Sequence, residues 1–165
     1  MIIIVKNKDT LLIEDFKFRC SIGKNGFSKK KHEGDLTTPK GKFNLGDINY
    51  RADRVQKPLS KLRSIAIKKN MGWCDDPNSK FYNKQIKIKK NFKIRYEKLY
   101  RKDHKYDFLI LIKYNYKNPI KFKGSAIFLH LTKNYSPTKG WIALCKKDFL
   151  ILAKLINKRT KIKIN

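Results

Sequence analysis

Two segments in the last third of the chain bring together residue types that could do chemistry. Gly124-Ser125-Ala126-Ile127-Phe128-Leu129-His130 is an apolar run ending on an imidazole. Pro137-Thr138-Lys139-Gly140-Trp141-Ile142-Ala143-Leu144 is a Thr/Gly turn leading into a second apolar run. An imidazole at a strand tip beside a glycine turn lets a general base face a nucleophile, as acyl transfer requires. His130 is the candidate base, with a structural histidine at a strand end as the alternative. The thiols are Cys20, Cys74 and Cys145. Their wide spacing and odd number fit neither a secreted disulfide framework nor a metal site. With no close His/Cys/Asp cluster, no metal and no cofactor is implied.

The elements that must position these groups read mainly as β. Ile2 to Val5 and Leu11 to Ile13 suggest an opening hairpin, and Phe16 to Ile22 alternates as a half-buried strand does. Asn25-Gly26 is a turn signal. Phe27 to Lys42 is too rich in turn formers for a regular element, and predicts an ordered loop on a functional surface. Strands are expected at Phe43 to Ile48, Ser64 to Ile67 and Gln85 to Ile88, a turn at Met71 to Pro77, and a short helical patch near Tyr96 to Lys102. Phe108 to Ile112 is a nearly continuous apolar run, as for a central strand covered on both faces, and Ser125 to Leu131 is a second. One helix is expected from Lys146 to about Asn157, on a wide apolar stripe. Cys145 sits at its N-cap, with Asp148 as a weak capping-box partner. Ile162-Lys163-Ile164 reads as a last edge strand.

The length of 165 residues predicts one domain, 1–165, around a single core. Lys and Arg number 41 against 13 Asp and Glu, a formal net charge of +28 that would attract nucleic acid, anionic lipid surfaces or acidic polymers. The other reading is compositional drift, since Lys, Asn and Ile abound throughout and the cations form no block. A P-loop, zinc-finger spacing and RNA-binding signatures are missing, so nucleic-acid binding rests on charge alone. Met1 to Lys6 is a short apolar run without a basic leader or cleavage site, and reads as a first strand. No run approaches the roughly 18 apolar residues of a membrane helix, so no integral membrane segment is expected.

Several blocks, in this order, carry a likeness to a known family. They are Glu33-Gly34-Asp35 with Thr38-Pro39-Lys40-Gly41-Lys42-Phe43, then Tyr50-Arg51-Ala52-Asp53-Arg54, then Gly72-Trp73-Cys74-Asp75-Asp76-Pro77 with Tyr82-Asn83. Asp103-His104-Lys105-Tyr106-Asp107 follows, and last Gly124 to His130 with Tyr135-Ser136-Pro137-Thr138 and Gly140. From about Cys20 to Leu155 the chain resembles the L,D-transpeptidase (YkuD-type) catalytic domain, in its small single-domain proteobacterial branch. The resemblance implies a mainly β (α+β) fold, with mixed β-sheets packed face to face and a C-terminal helix. It also implies a cysteine acyl-transferase that takes peptidoglycan stem peptides through a thioester.

On that resemblance His130 is the base, its ring held by a backbone carbonyl. Thr138 and Gly140 form the turn before the nucleophile, with Gly140 allowing close backbone approach and offering an exposed amide to the oxyanion. Lys139 stands where many relatives carry histidine, and His32 borders a loop that could line the substrate cleft. Trp141 matches the nucleophile position. Indole has no nucleophilic atom and only one donor, so it forms no thioester and the usual reaction should fail. Cys145 is the alternative thiol, favoured by a helix N-terminus, but on a strand it would lie roughly 13 Å beyond residue 141. An inactive homologue that binds cell wall or another anionic polymer through its basic surface is the second reading, and a nucleic-acid binder the third. The resemblance places the protein in the cell envelope or periplasm; with no export signal in view, the cytoplasm is the alternative.

Overall fold

Ile2–Lys6 (β1) and Thr10–Ile13 (β2) form the expected hairpin in the computed structural model, which describes residues 1–165. Asn7 and Lys8 take φ of 54° and 64°, the double positive φ that suits the twist of a tight hairpin turn. Phe16–Ser21 (β3) pairs antiparallel with β2. The loop that follows is not wholly irregular: Phe27–Ser28 (β4) and Thr38–Pro39 (β5) pair in parallel across it. Gly41–Tyr50 (β6) is longer than the Phe43 to Ile48 expected from sequence.

Beyond β6 come Ser64–Ala66 (β7), Met71–Cys74 (β8), Gln85–Lys87 (β9) and Tyr96–Lys98 (β10). Two readings are corrected here. Met71 to Pro77 begins as a strand, and the helical patch near Tyr96 is a strand, because β8 pairs with β9 on one side and β10 on the other. Three residues carry no usable period, so tertiary pairing decides their state. A single 3-10 turn, His104–Tyr106, leads into Phe108–Ile112 (β11); Phe128–Leu131 (β12), Ile142–Leu144 (β13), the helix Lys146–Leu155 (α1) and Lys161–Ile164 (β14) complete the chain.

The main sheet runs β11-β12-β13-β3-β2-β1-β14-β6-β7, and β6 also pairs with β11, so the sheet closes on itself. Closure depends on the length of β6: residues 41–44 pair with β14, and residues 45–50 with β11. At the changeover the register slips, Gly46 and Asp47 of β6 facing the one residue Leu111 of β11, and Gly46 lies where a Cβ would come within 3.0 Å of Leu111. β14 is not an edge strand; it lies between β1 and β6, parallel to β1. The two halves of the ring pack face to face on a core that takes Ile3, Val5, Phe18, Ile110, Leu129, Leu144 and Ile162 together with Phe149, Leu152 and Ala153 of α1. Burying these side chains supplies the main driving force for folding.

β11 is covered on both faces. Phe108, Ile110 and Ile112 enter the main core, while Leu109 and Leu111 enter a second cluster with Trp73, Leu99, Tyr106 and Phe128. That second cluster lies under the small sheet β10-β8-β9. It is the layer from which the site is built. No helix is long and apolar enough to cross a membrane.

Candidate functional site

Strand alternation aims His130. Leu129 and Leu131 point into the main core, so Phe128 and His130 share the opposite face. β13 runs parallel beside β12 with His130 opposite Ala143, whose methyl leaves room for the ring. Ile142 and Leu144 are core residues, which puts Trp141 and Ala143 on the face of His130. The imidazole, indole and the Tyr106 phenol ring form an edge-to-face cluster: His130–Trp141 and His130–Tyr106 centroids are each 5.4 Å apart, and Tyr106–Trp141 6.1 Å.

His130 is only 2% exposed. Its Nδ1 lies 2.8 Å from the Leu131 carbonyl, an acceptor only, so Nδ1 carries the proton and donates it. Nε2 is therefore the lone-pair nitrogen, and it has no hydrogen-bond partner. Burial pushes the imidazole pKa down to about 4, with the nearby cations Lys105 and Arg101 adding to the effect and the Leu131 carbonyl opposing it. At neutral pH the ring is an uncharged acceptor.

The turn before Trp141 is tied off internally. Thr138 donates its hydroxyl to the Trp141 carbonyl at 2.6 Å, and the same oxygen accepts the Gly140 amide at 3.1 Å. The close approach expected at Gly140 is present: its φ is +123°, and a Cβ there would meet the Thr37 carbonyl at 2.6 Å. Its amide, by contrast, is buried and already bonded to Thr138. Backing the turn is Lys31, 4% exposed, whose ammonium donates to Asp35 at 2.6 Å and to the Thr37 carbonyl at 2.8 Å. Its stem packs on Gly124, where a Cβ would come within 2.9 Å.

These elements enclose a cavity of about 200 Å³. His130, Thr138, Lys139, Trp141 and Ala143 line it from the C-terminal segments, with Lys133 beside them. Glu97, Arg101, Lys105 and Tyr106 close it from the other side. Glu97 accepts from Arg101 at 2.8 Å; burial nevertheless raises its carboxyl pKa above the ordinary value. The cavity wall is thus cationic around one partly desolvated carboxyl.

A family-wide sequence profile, YkuD, the L,D-transpeptidase catalytic domain, matches residues 1–164. The chain belongs to this family. No curated protein and no solved structure matches the chain. The mostly β architecture with a single helix is that of the YkuD fold, and the family acts on peptidoglycan.

For a YkuD member the placement of the thiols is decisive, and none of the three lines the cavity. Cys20 is in the main core, where burial pushes its thiol up to about 12. Cys74 is fully buried in β8. Cys145 is at the N-cap of α1, makes no capping hydrogen bond, and lies beside the Tyr135 hydroxyl. His32 also lies outside the cavity, exposed, its backbone N–H donating to Asp35 at 2.7 Å.

Sequence reading missed most of the cavity's walls, Tyr106 and every charged residue but Lys139 among them. Glu97 and Arg101 come from the strand read as a helical patch and the segment after it, and Lys105 from the 3-10 turn; Lys133 had no local signal. It also missed the buried Lys31 and the role of Asn83. The Asn83 Oδ1 accepts from the Trp73 indole N–H and the Ala126 amide, each at 2.9 Å, while Nδ2 donates to the Tyr114 and Asn115 carbonyls. It pins the small sheet over the His130 layer. Its signal was its place beside Tyr82 in one of the family-like blocks.

Proposed function

We propose that this YkuD member binds peptidoglycan stem peptides in the His130 cavity without passing them through a thioester. The observation that carries this reading is the indole of Trp141 standing 5.4 Å from the His130 ring in a cavity lined by no cysteine. Thioester formation needs a thiolate within hydrogen-bond reach of a base, and indole offers neither a nucleophilic atom nor a proton the base would remove.

What is kept suits recognition. Lys105, Lys133 and Lys139 present ammonium groups to the carboxylates of a stem peptide. His130, its Nε2 closed off from solvent, backs the cavity with an uncharged ring. The cell envelope, where peptidoglycan lies, is the compartment this function requires.

The test pairs binding with turnover. Calorimetry with a tetrapeptide stem should give saturable binding by the native protein. Mass spectrometry with a labelled D-amino acid should show neither exchange nor a covalent adduct. Exchange by the native chain would overturn the proposal. Trp141→Cys sets a thiol on the His130 face, and should acquire an acyl adduct with the same peptide; a folded variant that binds the peptide and forms none would refute the assignment of this site.

A further inference from the structure

A second concavity, of about 430 Å³, lies on the far side of Arg101 from the His130 cavity. Strand β10 separates them: Glu97 lines the first and its neighbour Lys98 the second, while Arg101 borders both. All but one of the residues lining this groove are Lys or Arg, the exception being Tyr100.

The arginines and lysines have different jobs. Arg51 is 4% exposed and spends its guanidinium inside the protein, donating through Nε and Nη2 to Asp53 at 2.8 Å each and through Nη1 to the Arg101 carbonyl. Arg54 donates to the Lys102 and Asp103 carbonyls and pairs with Asp107 at 3.3 Å. Arg101 is held by Asp103 and Glu97. The three arginines are therefore committed to the wall. Lys69, Lys98 and Lys102 are exposed, and none is paired with a carboxylate. Three unneutralised ammonium groups face one groove on a scaffold that fixes their backbone.

Ammonium groups are compact point charges; they hold phosphates without the planar fork that a free arginine would use to select a single group. A chain of monoanionic phosphates fits such a row. Nucleic-acid grooves add open aromatic rings on which bases stack. Here the one aromatic ring, Tyr100, carries the Arg51 guanidinium at 3.5 Å from its centroid, and its hydroxyl is bonded to Asp53 at 2.8 Å. We propose that this groove binds a linear phosphodiester polymer without bases, of the polyol-phosphate type, through Lys69, Lys98 and Lys102. The site goes beyond the stem-peptide reading and shares only Arg101 with it.

The experiment measures binding of poly(glycerol phosphate), and of an oligo-dT with the same number of phosphates, across a salt series. The native protein is compared with Lys69→Gln/Lys98→Gln/Lys102→Gln and with a control, Lys6→Gln/Lys17→Gln/Lys161→Gln, which removes equal charge from exposed positions on the main sheet. Counterion release predicts that the groove variant loses about 2 from the slope of log K against log salt, and at least about tenfold in low-salt affinity. The control should lose less than half of either. Equal losses in the two variants would mean that the net charge binds the polymer and would overturn the proposal, as would tighter binding of oligo-dT than of the polyol phosphate. Single Lys98→Gln, expected to lose about 0.7 of slope, reads the same effect at one position. Stem-peptide affinity of the groove variant should equal the native value, which separates failure of this site from failure of the His130 cavity.

Discussion

Replacing His130 by phenylalanine tests the electrostatics of the site through stability. The folded imidazole has a pKa near 4 against an ordinary value of 6.5, because burial disfavours its charged form. Above pH 6.5 the ring is neutral in both folded and unfolded chains and adds no pH dependence. As pH falls from 6.5 towards 4 the unfolded chain takes up a proton that the folded one refuses, so native stability drops through that window and levels off below it. The gap of about 2.5 pH units, at 1.36 kcal/mol each, makes the loss roughly 3 kcal/mol. Phenylalanine has no such proton. It fits the edge-to-face cluster, and the unpaired Leu131 carbonyl it leaves costs the same at every pH. Urea unfolding of both proteins at several pH values from 7.5 to about 3.5 gives the difference directly, with Asp103, Lys105 and Arg101 common to both. The native protein should lose roughly 3 kcal/mol more than His130→Phe. An NMR titration, with the His130 resonance assigned by its absence in the variant, should place the midpoint near 4. Parallel stability curves, or a midpoint near 6.5, would refute the reasoning.

Trp141→Ala should admit water to the imidazole and move its midpoint up towards 6.5, read by the same titration. Because Trp141 is only half-buried, its cost should fall below the range for a core Trp→Ala, at about 2 kcal/mol in urea. Gly140→Ala forces a Cβ to within 2.6 Å of the Thr37 carbonyl at a φ of +123° and should cost about 2 kcal/mol or more. A loss below about 0.5 kcal/mol would mean that the turn is not held as described. Asn83→Ala removes both acceptor and donor from a buried hub and should cost roughly 3 kcal/mol. Its readout is the unfolding free energy in urea, compared with the native protein.

The parts legible from sequence were those encoded in short stretches of chain. The run Phe108 to Ile112 announced a strand buried on both faces, and its alternate residues do enter two different cores. The helix after Cys145 was carried by its apolar stripe. His130 and Thr138 to Trp141 were found because they lie within a dozen residues of one another, flanked by apolar runs. Tyr96 to Lys98 and Met71 to Cys74 were misread because three or four residues hold no period, and their state is set by partners far along the chain; Ile162 to Ile164 is the strand expected, but its place between β1 and β6 depends on the same distant pairing.

Sequence by itself determined the family, the alternation that sets His130 opposite Leu129 and Leu131, and the presence of indole where a thiol is expected. Tertiary structure alone decided what surrounds that imidazole. Glu97, Arg101 and Lys105 reach it only because β10 pairs beside β8 and the 3-10 turn after it leads back into β11, and Cys145 falls outside the cavity because the chain has turned into α1 by then. The physical reason is the range of each effect. Alternation and side-chain chemistry act over one or two residues, whereas desolvation of a ring and the pairing of a charge depend on every segment packed around them, whatever its distance in sequence.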